Sequence, residues 1–323
     1  DIYIDQFDAV VARKYKQDML RYPVNRNKDK IFRDLSLEQI WEKHEGEKLL
    51  SSVTANNQLA KMGYFYDWCV DNHYLPSNPL AKVKETKKKP EIEKCLPFSD
   101  DELTLIFSTP IYTSHKFKHP YYYWLPLLYL YTGARLEELC QMDISDITVY
   151  KDINCFDITT LEDESEDKQH EIKNSTAPKK LKNEQSKRLM PIHPELIELG
   201  FFKYINQRKK LKEHKIFGGL KPINGKYGNY PSSWFNERYK KRFGFDTNNE
   251  KVLNSFRHTM KSKMEDANFE DYLIKAVMGH SLRDATHGTY GQRNKAVPIE
   301  RAMRDISFKE FTKSIKPWPT NRR

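Results

Sequence analysis

The sequence lacks any long apolar run. Its best stretch, Tyr121 to Tyr131, falls far short of the ~20 residues that a bilayer-spanning helix needs. It is also poor in cysteine. Cys69, Cys95, Cys140 and Cys155 are the full set, and no two of them make a CxxC pair, so the usual zinc spacing is absent. Their surroundings, such as Tyr66-Asp67-Trp68-Cys69 and Glu138-Leu139-Cys140, look like helix faces and read as free thiols of a reducing compartment. No metal site and no cofactor is expected. The chain has no internal repeat or low-complexity tract, and no leader pattern in its first residues. It opens on Asp1 rather than Met, as a trimmed chain with an N-terminal domain ahead of it would.

Positive charge, by contrast, is in excess. Lys and Arg number 55 against 45 Asp and Glu, a net charge of +10 over 323 residues. Such an excess suits a polyanionic partner. The length fits two domains. Lys82-Val83-Lys84-Glu85-Thr86-Lys87-Lys88-Lys89-Pro90 is basic, lacks apolar periodicity and ends in proline, which marks it as the boundary. The excess is +2 over residues 1–95 and +8 over residues 96–323, so it belongs mainly to the second part.

The first part reads as helical, with helices over Ile4–Leu20, Ser36–His44 and Ser52–His73. In the last, Leu59, Met62, Tyr66, Cys69 and Val70 form one stripe, and Ser51, Ser52 and Thr54 are candidate caps. The second part is mixed. Ser99 with Asp100, Asp101 and Glu102 opens a helix. Tyr121–Tyr131 reads as a buried helix and Arg135–Met142 as a short one. Strands are expected over Ile147–Thr159, His170–Ile172 and Arg188–Ile192, with the acidic loop Glu162–Asp167 between the first two. Helices return over Glu195–Gln207, Ser232–Phe243, Leu253–Ala267 and Tyr272–Met278. At the end, Phe308, Phe311 and Ile315 share one apolar face that nothing after them would cover, so it either packs back on its own domain or docks in a neighbouring subunit.

Four segments carry chemistry. In Thr132-Gly133-Ala134-Arg135-Leu136-Glu137-Glu138, the glycine permits a tight turn and Arg135 starts a helix, where it could join backbone N–H groups around an anion. Glu138, at i+3, could hold it. Lys182-Asn183-Glu184-Gln185-Ser186-Lys187-Arg188 fits a hairpin turn with Lys182 near its tip. Asn254-Ser255-Phe256-Arg257-His258 puts an arginine beside the apolar Leu253, Phe256, Met260 and Met264, which calls for an anionic partner: a ligand or a buried carboxylate. Gly279-His280 ends a helix, and Tyr290 follows ten residues later beside Gly291.

In this order and spacing the four segments resemble a tyrosine recombinase of the phage integrase family. The matching residues are Thr-Gly-Ala-Arg135-x-x-Glu138, Lys182 in a Lys-Asn-x-x-Ser-x-Arg-x-x-Pro run, Arg257-His258-Thr, and Gly-His280 followed by Tyr290. The likeness also covers the helical first part, where Tyr64 through Asn78-Pro79 looks like the family's core-binding domain.

The resemblance implies a mainly helical α+β fold with a small antiparallel sheet. A core-binding domain over 1–90 and a catalytic domain over 91–323 would form a clamp around DNA, with a C-terminal assembly tail. An arm-binding domain would precede Asp1. It implies Arg135 and Arg257 clamping a phosphate, Tyr290 as nucleophile forming a 3′-phosphotyrosine, Lys182 as the acid for the leaving oxygen and His280 on the phosphate. Glu138 and His258 would be supporting residues. The family has His where this chain has Asn254, which can hydrogen-bond but cannot carry a proton charge.

The implied partners are double-stranded attachment sites, a homotetramer on that DNA, and accessory bending or directionality factors, with no membrane. The setting would be a bacterial cytoplasm, at the nucleoid. Two other functions fit the same residues: a type IB topoisomerase-like relaxing enzyme, and a DNA-binding protein weakened in catalysis by Asn254.

Overall fold

The computed structural model describes residues 3–24, 26–43, 49–81, 83, 95–158, 187–245, 250–280 and 296–319. Lys182, Tyr290, the acidic loop 162–167, the strand expected over 170–172 and most of the basic linker lie outside the described residues. The chain divides into two compact units, Asp1–Glu91 and Ile92–Arg323.

The described part of the first unit is helical. Where one helix was expected over Ile4–Leu20 there are two elements, a 3-10 turn at Ile4–Gln6 and α1 (Ala9–Leu20). Asp8 is the reason: its carboxylate accepts from the N–H groups of Val10 and Val11, and so starts a new helix. α2 covers Leu37–Lys43. α3 (Ser52–Asp71) begins at Ser51, whose hydroxyl accepts from the Thr54 N–H. It turns Leu59 and Tyr66 into a core with Phe7, Ala12, Leu80 and Val83. Tyr66 stacks on Phe7 with ring centroids 5.1 Å apart.

The second unit is built on a buried helix. α4 (Asp100–Phe107) starts with a reciprocal cap between Ser99 and Glu102, and α5 is Pro110–Thr113. α6 (Pro120–Thr132) is buried at every position from Tyr121 onward. An apolar surface all round a helix leaves no face for solvent, so other elements must surround it. α7 (Leu136–Cys140) follows one turn later.

The sheet is antiparallel, in the order β1 (Ile147–Tyr150), β2 (Ile153–Ile158), β3 (Arg188–Pro191), with Ile147 opposite Phe156 and Cys155 opposite Pro191. The single strand expected over Ile147–Thr159 is therefore a hairpin. Its turn is Lys151-Asp152, with φ of 48° and 63°. Tight hairpins favour two left-handed residues, but usually advertise them with Asn or Gly.

The helix expected over Glu195–Gln207 is also two, α8 (Pro194–Glu198) and α9 (Phe201–Lys210), broken at Gly200 with φ 92°. Asn229–Ser233 (α10) runs through a π-helical stretch, Trp234–Tyr239, into α11 (Lys240–Phe243). α12 (Ser255–Asp266), α13 (Asp271–Met278), α14 (Ala296–Arg304) and α15 (Lys309–Thr312) complete the unit. The fold is mainly helical with a small antiparallel sheet, as expected. No helix among the described residues is long and apolar enough to cross a membrane.

Of the two readings of the apolar face at the end of the chain, packing back on its own domain holds, and the reading of that face as an assembly tail is corrected. Phe308, Phe311, Ile315 and Trp318 are buried in the core of their own unit. Backbone bonds anchor the segment, from Lys316 N–H to Tyr112 O at 3.0 Å and from Trp318 N–H to Leu199 O at 2.8 Å. The Trp318 indole donates to Gln207 Oε1 at 2.7 Å. Gly200 makes room: a Cβ there would lie 3.2 Å from the Trp318 Cβ. The cover comes from elements far upstream, which local spacing does not reveal.

Candidate active site

Two left-handed glycine turns meet at the centre of the second unit. Gly133 ends α6 at φ 57°, and Gly279 ends α13 at φ 61°. Both positions exclude a side chain on space as well as on conformation. A Cβ on Gly133 would meet Met278 Cε at 2.6 Å, and one on Gly279 would meet Arg188 Nη1 at 2.6 Å.

Two arginines tie these turns together. Arg135 lies just after the Gly133 turn, and its Nη2 donates to Gly279 O at 2.8 Å. Arg257, on the first turn of α12, donates through Nη1 to Gly133 O and through Nη2 to Met278 O, the latter at 2.6 Å. Arg257 therefore bridges both turns, while Arg135 reaches from the Gly133 turn to the Gly279 turn. The sequence allowed Arg257 a buried carboxylate partner. Among the described residues its bonds go to carbonyls instead, and its Nη2 lies 3.0 Å from His280 Nε2.

Glu138 organises the other side. One carboxylate oxygen accepts from Arg135 Nη1 at 2.8 Å, and the other from the Arg135 backbone N–H at 2.9 Å. This is the i+3 support read from the sequence. The second oxygen also accepts from Arg188 Nη2 at 2.9 Å. Arg188 was read only as part of a basic hairpin. It is 2% exposed, and β3 places its guanidinium beneath Gly279. It is a site residue that the sequence reading missed, because nothing local distinguishes it from the exposed basic residues of a hairpin.

The titrating groups register a positive field. Burial raises the Glu138 carboxyl, but the Arg188 charge and the bonds from Arg188 and Arg135 outweigh it, so its pKa falls below the usual carboxylate value. Burial and then the Arg135 charge pull Arg257 down to about 10. Burial, followed by the charges of Arg257 and Arg135, lowers His280 to about 4. A neutral imidazole beside fixed guanidinium groups is an arrangement that an anion would complete.

Asn254 forms a separate shoulder at the N-terminus of α12. Its Oδ1 accepts from the Tyr129 hydroxyl at 2.7 Å, and its Nδ2 lies 3.0 Å from His258 Nε2. Cys95 is also here, with Sγ 3.4 Å from Ser255 Oγ. The sequence flagged Asn254 and His258 but not Tyr129 or Cys95, which lie 125 and 159 residues before Asn254. The site as described thus brings together Arg135, Glu138, Arg257, His280, Asn254 and His258. Lys182 and Tyr290 lie outside the described residues. Among the described residues no group of three or more His, Cys, Asp or Glu side chains could hold a metal ion.

The structure is similar to that of the Tn1549 transposon integrase. Against its complex with transposon right-end DNA the TM-score is 0.54 at 18% identity, covering 93% of this chain and 87% of that one. Against a complex with a circular intermediate DNA it is 0.53 at 16% identity, covering 92% and 86%. The chain has the integrase fold. No family model matches the sequence, and none of the curated proteins matches it. The described parts of the four segments meet in this fold, although Gly133 and Arg257 are 124 residues apart in the chain.

Proposed function

We propose that this chain is a tyrosine site-specific recombinase that cleaves DNA, holds it as a 3′-phosphotyrosine and rejoins it. The observation that carries the reading is the pair of arginines held on the two glycine turns, with the buried Arg257 bonded to two carbonyls and to His280, which is kept neutral beside it. A phosphodiester is an anion that repels nucleophiles. Fixed donors placed where charge builds up lower that barrier, and they cost no reorganisation during the reaction. Arg135 and Arg257 would present their remaining guanidinium N–H groups to the non-bridging oxygens. His280 would bond the same phosphate and Asn254 would add a neutral donor. Tyr290 is the proposed nucleophile, and Lys182 the proposed proton donor to the 5′ oxygen. The covalent bond conserves the phosphodiester energy, so rejoining needs no nucleotide hydrolysis.

The Tn1549 integrase structures are complexes with transposon-end and circular-intermediate DNA. By analogy, the substrate here is the double-stranded end of a mobile element, acted on by a tetramer. The net charge of +10 favours the phosphate backbone as a partner. The test is a duplex nicked near the scissile phosphate, which traps the covalent adduct. The native chain is expected to form it, and Tyr290→Phe to bind DNA without forming it. An adduct with Tyr290→Phe would move the nucleophile to another tyrosine.

Asn254 also favours a second reading, a DNA-binding protein weakened in catalysis. That reading would prevail if the native chain bound its site but formed no adduct.

A further inference from the structure

Asn254 occupies the position where a titrating side chain is missing, and its amide is not left to rotate. Tyr129 lies on the buried helix α6 and is 1% exposed. Burial raises its phenol well above the ordinary tyrosine range, so the hydroxyl stays protonated and acts as a donor. It donates to Asn254 Oδ1, which leaves Nδ2 at the other end of the amide. Nδ2 then donates to His258 Nε2, which must be unprotonated to accept. His258 is also hydrogen-bonded to Cys95.

Cys95 is held in turn by the segment that carries it. Leu96 N–H donates to Glu250 O at 2.9 Å, and Phe98 N–H to Thr259 Oγ1 at 2.9 Å. The Phe98 ring packs on Phe256 at 4.7 Å. The thiol is thus pinned over the first turn of α12 by chain entering from upstream.

One Nδ2 hydrogen is engaged by His258. Among the described residues the other meets only the Cys95 sulfur, 4.0 Å from the nitrogen, the outer limit of such a contact. Asn254 is exposed, and its carbonyl accepts from the Arg257 N–H at 3.0 Å on the same helical turn. An oxygen ligand bound at Arg257 would be a stronger acceptor for that second hydrogen than a distant thiol.

We propose that Tyr129, His258 and Cys95 are positioning residues that lock the Asn254 carboxamide, leaving one N–H to hydrogen-bond a phosphate oxygen held by Arg257. The proposal rests on the recombinase reading for its phosphate, adds Tyr129 and Cys95, which that reading does not use, and gives His258 a specific task. It accounts for how a side chain that cannot change charge serves in this place: orientation does the work.

Two measurements test it. The first is the Asn254 side-chain amide in the ¹⁵N spectrum of the full chain, assigned by its loss in Asn254→Asp. Two well-resolved, slowly exchanging protons are expected in the native protein. They should collapse toward solvent values in Tyr129→Phe and His258→Ala, and one should shift on adding inorganic phosphate. A freely rotating amide in the native protein overturns the proposal whatever the chain does to DNA.

The second is adduct formation on the nicked duplex. Tyr129→Phe and His258→Ala are expected to slow it roughly 10- to 100-fold, as displacement of a reacting group does, with DNA affinity unchanged. His258→Gln, which keeps an acceptor, should retain most of the rate, and Cys95→Ser should lose least. In an Asn254→Ala background neither Tyr129→Phe nor His258→Ala should slow it further. Losses that multiply in that background overturn the proposal. If the native chain forms no adduct, the recombinase reading fails, and the phosphate response of the amide still decides this one.

Discussion

The two sides of the site solve the problem of holding an anion in opposite ways. On the arginine side, charge is buried and fixed. Glu138 and Arg188 are 3% and 2% exposed, and Arg257 reaches carbonyls that the two glycine turns present. On the Asn254 side, a buried phenol, an exposed carboxamide and an imidazole are joined by hydrogen bonds, with no carboxylate among them. A buried ion network is costly to assemble and costly to break, because each charge left behind lacks water. A chain of neutral bonds is worth far less per link, about 0.5–1.5 kcal/mol. Stability should therefore reside on the arginine side, while the Asn254 side should affect rate and little else.

The largest effect should come from Glu138. Glu138→Ala leaves Arg188 buried beside Arg135 and Arg257 without its carboxylate. Breaking a buried pair in this way costs about 3–5 kcal/mol, to be read by urea denaturation. Asn254→Ala, on the other side, should cost no more than about 1.5 kcal/mol. Equal losses would end the contrast.

Arg257→Lys should be milder for stability and severe for cleavage. An ammonium keeps the charge but has one nitrogen where the guanidinium reaches Gly133 O and Met278 O with two, so it lacks the planar spacing that also leaves an N–H for a phosphate oxygen. Loss of one such donor in the transition state costs about 10²–10³ in rate. Single-turnover cleavage checks this, and a near-native rate for Arg257→Lys would remove the fork argument.

What the sequence disclosed follows the range of each interaction. Arg135 with Glu138 is one helical turn, and the salt bridge appears as read. The Ser99 cap and the buried run of α6 are likewise local signals, and both hold. Arg188 was hidden because exposed and buried arginines look alike in a basic stretch. Its burial depends on β3 passing beneath Gly279, 91 residues away in the chain. The hairpin turn at Lys151-Asp152 was missed because those residues adopt positive φ without the glycine that usually signals it. The helix break at Gly200 was missed because its cause, Trp318, lies at the other end of the unit. Tyr129 and Cys95 have no motif; only packing brings them to Asn254.

The smallest expected effect sharpens the comparison most, since it tests the field of the arginines directly. His280 has its pKa lowered to about 4 by burial and by the charges of Arg257 and Arg135. An unfolded histidine titrates near ~6.5. Its folded pKa is the lower one, so the stability that neutral His280 contributes is complete above ~6.5 and is lost as pH falls toward 4. An anion between the arginines reverses the sense, because its negative charge favours imidazolium. Anion binding should then take up a proton, and affinity should rise as pH falls. Sulfate is the right probe, since it stays a dianion between pH 4 and 8 while Arg135 and Arg257 stay charged. The thermal shift produced by sulfate should grow from pH 7 to pH 5 in the native protein, and stay nearly flat in His280→Gln. His258→Gln, on the neutral shoulder, should keep the native trend. Should His280→Gln follow the native curve, the proton is taken up elsewhere and His280 does not face the anion.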